Sequence, residues 1–420
     1  MRVKMSGFNS LITVDEALKR LLEAVRNFKL DVEKVCLEES VDRVCGEDLK
    51  APVDIPPFDR SAVDGYAVRY VDVISASPHN PVELKVVGVS EAGYDLKMLP
   101  KVSSGEAVEI YTGAPLPSGA DSVVMAEFCK RDGDRVWVSR PVACMQNISL
   151  RGEDFKAGEL VVARGVKLKP WHIGALASLG ITNILVYRRP KVLIASTGLE
   201  LKQLGSEDNQ GKIYDSTRPM LKALLKSINC TVLDLGILPD EPAYIAEAIS
   251  KHLDSADLAV ITGGTSLGLR DVTPEALNML EESKLVFHGV RMRPGKPTGA
   301  YVVKGKLIFM LSGFPVASFI AFKVFIEPTI HAMMGSKPDP QPTVRAYITR
   351  RLAKPTGVKA YVRVRIYRSQ DGFYAEPLRL TGSGILSTLT RGNGILTLDE
   401  EVEGVDEGEE VEVLLTQAFE

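Results

Sequence analysis

The alternation of apolar and polar positions changes its grammar several times along the chain. Thr13-Val-Asp-Glu16 has the spacing of a capping box, a hydroxyl for an orphan N–H and a carboxylate reaching back. Behind it Ala17, Leu18, Leu21, Leu22 and Val25 recur on one helical face, so an amphipathic helix is expected there. From Ala51 the pattern turns to short strands: Val82 to Val89, Ala107 to Tyr111, Ser122 to Met125 and Arg135 to Val138. Gly113-Ala-Pro115 and Pro117-Ser-Gly119 punctuate them as turns. This predicts a small β domain over 51–147. Lys169-Pro170 then opens a short helix that Gly180 closes.

Beyond residue 188 strands alternate with helices. Strands are expected at Lys191 to Ser196, Thr231 to Leu235, Leu258 to Thr262 and Lys306 to Leu311. Helices are expected at Arg218 to Ile228, at Pro242 to His252, and from Thr273-Pro274. Such alternation implies right-handed crossovers and a mainly parallel sheet, an α/β domain over 189–337. After Gly335-Ser-Lys-Pro-Asp-Pro, a linker by composition, Tyr361 to Tyr367 and Glu410 to Leu415 alternate with period two. Residues 338–420 are read as a small β-barrel or sandwich. The longest apolar run, Leu307 to Phe322, is broken by Ser312, Gly313 and Pro315, and so reads as strand, turn and helix rather than a membrane span.

Composition narrows the function classes. The 420 residues are 45% hydrophobic and 25% charged, and the net charge is −3, so no global basic field favours nucleic acid or a membrane surface. Short basic runs such as Arg188-Arg189 and Arg350-Arg351 are read as solvated faces. No N-terminal apolar segment suggests export, and a cytoplasmic protein is expected. The five cysteines, Cys36, Cys45, Cys129, Cys144 and Cys230, lack any C-x-x-C pair. Reduced thiols are therefore expected, not a disulfide framework or a structural zinc site. If a metal is used, carboxylates are its expected ligands.

Open α/β sheets bind ligands beyond the carboxyl ends of their strands. Here those ends deliver Ser196-Thr-Gly-Leu-Glu200, Gly236-Ile-Leu-Pro-Asp240, Gly263-Gly-Thr-Ser-Leu-Gly268 followed by Asp271, and Ser312-Gly-Phe-Pro315. One carboxylate after a strand is usually a helix cap. Three of them, Glu200, Asp240 and Asp271, beside glycine-rich turns suggest a crevice for Mg²⁺ and phosphate. The G-G-T-S-L-G turn is neither a Walker A loop nor G-x-G-x-x-G. Arg291-Met-Arg-Pro-Gly-Lys-Pro297 adds three cations around a rigid turn, either an oxyanion grip or a solvated turn. Pro56 to Val68, P-P-F-D-R-S-A-V-D-G-Y-A-V, projects Asp59, Arg60, Ser61 and Asp64 from a loop that is either an ordinary polar turn or a site. The chemistry so far is an Mg²⁺-dependent transformation of a phosphorylated small molecule.

Taken in order, Pro56 to Val68, Tyr111-Thr-Gly-Ala-Pro115, Arg151-Gly-Glu-Asp154, Ser196 to Glu200, Gly263 to Gly268 and Arg293-Pro-Gly-Lys-Pro297 resemble the molybdopterin molybdenumtransferases, the MoeA proteins and gephyrin E domain. The resemblance spans essentially the whole chain. It implies that 1–50 and 148–188 together form an elongated N-terminal linker domain, and that the molecule is a homodimer with its site between subunits. The implied reaction takes adenylylated molybdopterin and molybdate or tungstate, inserts the metal at the dithiolene, and releases AMP with Mg²⁺ present. By motif match the implied catalytic residues are Asp64, Thr112, Glu200, Asp240 and Asp271, with Glu200, Asp240 and Asp271 at the Mg²⁺. Implied substrate contacts are Asp59, Ser61, Arg151, Asp154, Gly263, Gly264, Ser266, Gly268, Arg293, Lys296, Ser312, Pro315, Arg363 and Ser383. The adenylyltransferase that makes the substrate is an implied partner. Many relatives read L-P-G-N-P where this chain has Leu311-Ser-Gly-Phe-Pro315, and lysine where it has Arg293. The alternatives are a molybdopterin adenylyltransferase, which would need neither the 51–147 domain nor the barrel, and a non-catalytic molybdopterin-binding scaffold.

Overall fold

A computed structural model describes residues 11–28, 30–207, 211–265, 272–379 and 382–418. The chain forms two compact units, one made of Lys34–Val41 and Cys45–Val186, the other of the remainder. Asp271, Ser266 and Gly268 lie outside the described residues.

The smaller unit is built on six strands: β1 (Gly65–Val68), β2 (Val82–Ser90), β3 (Glu106–Ile110), β4 (Ser122–Met125), β5 (Cys129–Asp132) and β6 (Arg135–Val138). They lie in the order β4-β1-β3-β2-β6-β5, antiparallel except for β2 against β3. Period two sends Ala107 into a core with Leu84, Val124 and Val136, and its neighbours Val108 and Ile110 into a second core on the other face. Both faces are therefore covered, which explains why these strands read as nearly continuous apolar runs. The helix Pro170–Ser178, with proline at its first turn, seals a third cluster of Leu37, Cys45, Leu49, Leu168 and Leu176.

In the larger unit, helix α1 (Val14–Ala24) begins where the capping signal predicted. Thr13 Oγ1 accepts the Glu16 N–H at 3.2 Å, but the Glu16 carboxylate turns to Arg20 at 2.7 Å, so only half of the box forms. Val14, Ala17 and Leu21 bury against Phe325, Ile326 and Ile330. The central sheet holds β7 (Lys191–Thr197), β8 (Thr231–Leu238), β9 (Leu258–Thr262), β10 (Lys284–His288), β11 (Gly299–Val303) and β12 (Lys306–Leu311). Its order is β8-β7-β9-β12-β11-β10; the first four run parallel, β11 runs against them, and the edge strand β10, antiparallel to β11, shares their direction. Helices α2 (Thr217–Ser227), α3 (Pro242–Leu253) and α4 (Val272–Asn278) connect the strands. Val192, Ile194, Val260 and Phe309 enter one core, while Leu193, Ala195, Ile261 and Ile308 enter the opposite one.

After β12, α5 (Pro315–Ala321) passes through a π-helical turn, Phe322–Ile326, into α6 (Glu327–Met333). This 19-residue stretch is apolar and long enough to cross a membrane, yet most of it is buried inside the unit, as a core helix would be. The terminal strands β13 (Thr343–Ile348), β14 (Lys359–Ser369), β15 (Gly372–Arg379), β16 (Gly394–Leu398) and β17 (Glu410–Leu415) run β14-β15-β13-β17-β16, and β16 pairs back onto β14. The closed five-stranded barrel decides between the two expected forms. Met292–Arg293 joins it as a short extra strand beside β14.

One expectation fails. Arg188 is not on a solvated face; its guanidinium grips Asp257 through two 2.7 Å bonds, with Asp257 only 9% exposed. Asp257 also accepts the Lys191 N–H at 2.7 Å, so the pair fastens the starts of β7 and β9 together. Burial raises the Asp257 carboxyl, but Arg188 and the Lys191 N–H outweigh it and hold it below the usual range. All five cysteines are free thiols, with Cys45 and Cys230 buried and Cys36 and Cys144 exposed.

Candidate functional site

The carboxyl ends of β7, β9 and β12 open onto a cavity of about 670 Å³. Its walls include Glu200, Gly263, Gly264, Arg293, Lys296, Ser312, Pro315, Arg363 and Ser383. The sequence spreads these nine positions over almost two hundred residues, and the fold brings them to one place. The turn after β9 must be glycine. Gly263 has φ +93, and a Cβ there would stand 2.0 Å from the Thr197 carbonyl oxygen. Its own N–H donates to the Leu311 carbonyl at 3.1 Å. Close approach of the backbone, rather than a free donor, is what this glycine provides.

The cavity is cationic on one side. Arg293 is half-buried and Lys296 exposed on the turn that leads to β11. Arg363 comes from β14 and is 2% exposed. Its Nε donates to Thr388 Oγ1 at 3.3 Å and its Nη1 to the Tyr361 carbonyl at 3.1 Å. Nη2 is buried and has no hydrogen-bond partner among the described residues. Burial lowers the guanidinium's basicity. A desolvated guanidinium with an open donor is costly unless an anion completes it.

Asp215, which the motifs did not single out, anchors the acidic side. It is 2% exposed and accepts from Ser196 Oγ at 2.7 Å, Arg218 N at 3.1 Å and Arg218 Nε at 2.9 Å. The available signal was the Asp215-Ser-Thr run at the start of α2, a helix-capping composition. Arg218 continues to Asp234, which also meets Lys222 at 3.0 Å and the Gly236 N–H at 3.0 Å. Burial raises Asp234, but Lys222, the Gly236 N–H and Arg218 together hold it below its ordinary value.

Glu200 is exposed on the cavity wall. Asp240 stands behind the wall, where its carboxylate accepts from the Thr197 hydroxyl and, at 3.1 Å, from the Leu199 N–H. Among the described residues no three His, Cys, Asp or Glu side chains could hold a metal by themselves. The donors present are hard carboxylate oxygens, which suit Mg²⁺ when it keeps one or two protein ligands and takes the rest from substrate phosphates and water.

In the smaller unit the loop of Asp59 to Asp64 is tied to two others. Asp64 accepts both the N–H and the hydroxyl of Thr112 at 2.7 Å. Those two bonds, the backbone one first, hold its carboxyl below the ordinary range, although both residues are exposed. Asp59 accepts the Arg151 N–H at 2.8 Å, and Arg151 Nε reaches Asp54 at 2.6 Å. Ser61 is 1% exposed; its hydroxyl donates to the Val63 carbonyl, and its backbone pairs with Gly113 and Ala114. It fastens the loop from within. Asp154 is exposed, with its N–H on the Ile55 carbonyl. The proline-rich motif is thus an organised acidic and basic loop cluster, not a slack turn.

Comparison with known proteins agrees along the whole chain. Residues 12–180 match the MoeA N-terminal region (domain I and II), 193–332 a probable molybdopterin binding domain, and 345–416 the MoeA C-terminal region (domain IV). A protein of Methanocaldococcus jannaschii named for molybdopterin biosynthesis is 38% identical, over 98% of this chain and 100% of its own length. The molybdopterin molybdenumtransferase of Haemophilus influenzae is 34% identical, over 96% of this chain and 98% of its own. The crystal structure of a molybdopterin biosynthesis MoeA protein from Pyrococcus horikoshii superimposes with a TM-score of 0.83 at 36% identity, covering 97% of this chain and 100% of that one. With three consecutive matches in order and full-length relatives above 30% identity, the chain belongs to the MoeA family of molybdopterin molybdenumtransferases, proteins of molybdenum cofactor biosynthesis.

Proposed function

We propose that this protein is the metal insertase that takes adenylylated molybdopterin and molybdate, or tungstate, and releases AMP as the dithiolene receives the metal. The observation that carries this reading is the buried Arg363 guanidinium with an open Nη2, set in one cavity with Arg293 and Lys296. A tetrahedral dianion is the ligand such a trio suits, because a charge-assisted N–H···O⁻ bond satisfies the Arg363 donor that burial has stripped of water, and two further cations stand beside it. Ser312 and Ser383 would add neutral donors at the rim. Gly263 and Gly264 let their turn pack tightly on Thr197 and the start of α4 and so shape the cavity edge where a phosphate would lie, and Pro315 opens α5 beside it.

Glu200, Asp240 and Asp271 would hold Mg²⁺, which when bound neutralises charge on the phosphoanhydride. The side chains then need only position and shield, since phosphoanhydride cleavage draws mainly on charge stabilisation. We further propose a cytoplasmic homodimer. In it Asp64 and Thr112 of one subunit, steadied by Asp59, Ser61, Arg151 and Asp154, serve the cavity of the other. The domain division, an N-terminal linker of 1–50 and 148–188 with domains 51–147, 189–337 and 338–420, belongs to the same proposal. So does a hand-over of substrate from the adenylyltransferase.

The test is AMP release from adenylylated molybdopterin with Mg²⁺, with molybdate, tungstate or neither, for wild type and Lys296→Ala. Oxyanion-dependent release that the variant loses supports the insertase and names its metal. Tight binding with no release under any condition defeats it. Chelation of divalent metal should stop release and leave oxyanion binding in place.

A further inference from the structure

Phe314 is out of keeping with its surroundings. The four residues after it, Pro315 to Ser318, are all buried, yet Phe314 is 58% exposed on the cavity wall. Its backbone is fixed at both ends. The N–H donates to Ser312 Oγ at 3.2 Å, and the carbonyl accepts the Ser318 N–H at 3.1 Å as the helix cap. The ring is held as well. A Cβ built on Gly384 would stand 2.9 Å from Phe314 Cδ1 and 3.3 Å from Cε1, so the glycine backbone lies directly against that edge. The segment bearing Gly384 is itself tied to α5 by the Val316 N–H on the Ser383 carbonyl at 3.0 Å. An aromatic ring braced on one edge and open to a cavity has already lost the freedom that binding would otherwise remove.

The same cavity holds Arg293, Lys296 and Arg363, and its volume suits a nucleotide-sized ligand. We propose that Phe314, braced by Gly384, is the stacking platform for a planar nitrogen heterocycle joined to a phosphate, and so a substrate-positioning residue of this site. The inference rests on the insertase reading for its substrate, in which the heterocycle is either the pterin or the adenine. Stacking is favoured because a π-face needs no particular donor pattern, and the cations beside it already fix the anionic end.

The test compares three probes by calorimetry: AMP, a pterin bearing a methyl phosphate, and ribose 5-phosphate. Phe314→Leu keeps an apolar side chain but removes the π-face. It should weaken one or both ring-bearing probes about tenfold, in the range seen for lost base stacking, and leave ribose 5-phosphate unchanged. Loss for AMP alone assigns the adenine, and loss for the pterin probe alone assigns the pterin. Phe314→Trp should restore affinity, and its emission should be quenched on binding. Gly384→Ala, which must displace the ring, should reproduce the leucine phenotype. Unchanged affinity of Phe314→Leu for all three probes, or equal loss for all three, overturns the proposal. Because these are equilibrium measurements on fragments, they read stacking separately from the AMP-release assay. A wild type that stacks the ring but never releases AMP would sink the insertase reading and keep the platform.

Discussion

Replacing Arg363 by methionine separates a ligand-holding role from a structural one. The guanidinium makes two internal hydrogen bonds, at 3.3 and 3.1 Å, and leaves Nη2 bare. Losing the two bonds from a charged donor costs about 1.5–3 kcal/mol each, while removing a buried, incompletely paired guanidinium returns an amount of similar size. Thr388 Oγ1 keeps its 2.8 Å bond to the Ile385 carbonyl, and methionine fills an irregular buried path well. Arg363→Met should therefore fold with a stability within about 1 kcal/mol of wild type. Oxyanion affinity should fall far more. A lost charge-assisted bond of about 1.5–3 kcal/mol is about 10- to 150-fold in Kd. Thermal unfolding with and without molybdate reads both quantities. At a molybdate concentration a hundred times the wild-type Kd, wild type gains about 2.7 kcal/mol, and a variant thirtyfold weaker gains about 0.9 kcal/mol. A variant that loses more than about 3 kcal/mol of stability yet binds molybdate as before would show that Arg363 is a core strut, and the reasoning from its bare donor would be refuted.

Asp257→Ala should cost about 1–3 kcal/mol, because it removes two bonds from the half-buried Arg188, which keeps only Asp31 at 3.6 Å as an ion-pair partner among the described residues, and leaves the Lys191 N–H unpaired; urea unfolding measures it. The folded Asp257 carboxyl titrates below its unfolded value of 3.8. Its stabilisation is therefore complete above that pH and is lost as pH falls through the folded value; Asp257→Asn should flatten that acid limb of the stability curve. Gly263→Ala meets both a +93° φ and a carbonyl at 2.0 Å, so it should lose at least about 1–3 kcal/mol and most oxyanion binding, read by unfolding and calorimetry. Thr112→Val removes the hydroxyl bond and keeps the backbone one, so the Asp64 carboxyl should titrate closer to its ordinary value by NMR without returning fully. Mixing inactive Asp64→Ala and Arg363→Met subunits should regenerate AMP release if sites are shared across a dimer. Failure of subunit-exchanged mixtures to do so would count against that arrangement.

Local pattern made much of the architecture legible. Leu258–Thr262 and Glu410–Leu415 fall where the apolar periods place them, and the glycine and proline stops locate the strand ends that line the cavity. Pairings over long sequence separation were not legible. Arg188 meets Asp257 across 69 residues, and each alone looks like a solvated charge. Asp215 sits in a run with no motif, and its importance shows only when Ser196 and Arg218 converge on it. Phe314 stood out as an unusual residue, but Gly384 gives no sign in sequence of being its brace. The half-formed capping box has a similar cause. Glu16 has two partners within reach, and the side chain of Arg20 competes better than the backbone.

The short strand Met292–Arg293 has a mechanical consequence. Although it precedes β11 in the α/β sequence, it pairs with β14, where Arg293 lies opposite Ala360, three residues before Arg363. The two arginines are thus riveted to one piece of β-structure, whereas the Gly263 turn and α5 are carried by the other sheet. Any rocking of the barrel against the α/β sheet would carry both arginines together relative to the Gly263 turn, and the Val316 N–H bond to the Ser383 carbonyl restrains that movement at the Phe314 side. The spacing of the two guanidinium groups is thus set by a strand pairing rather than by the packing of their own side chains.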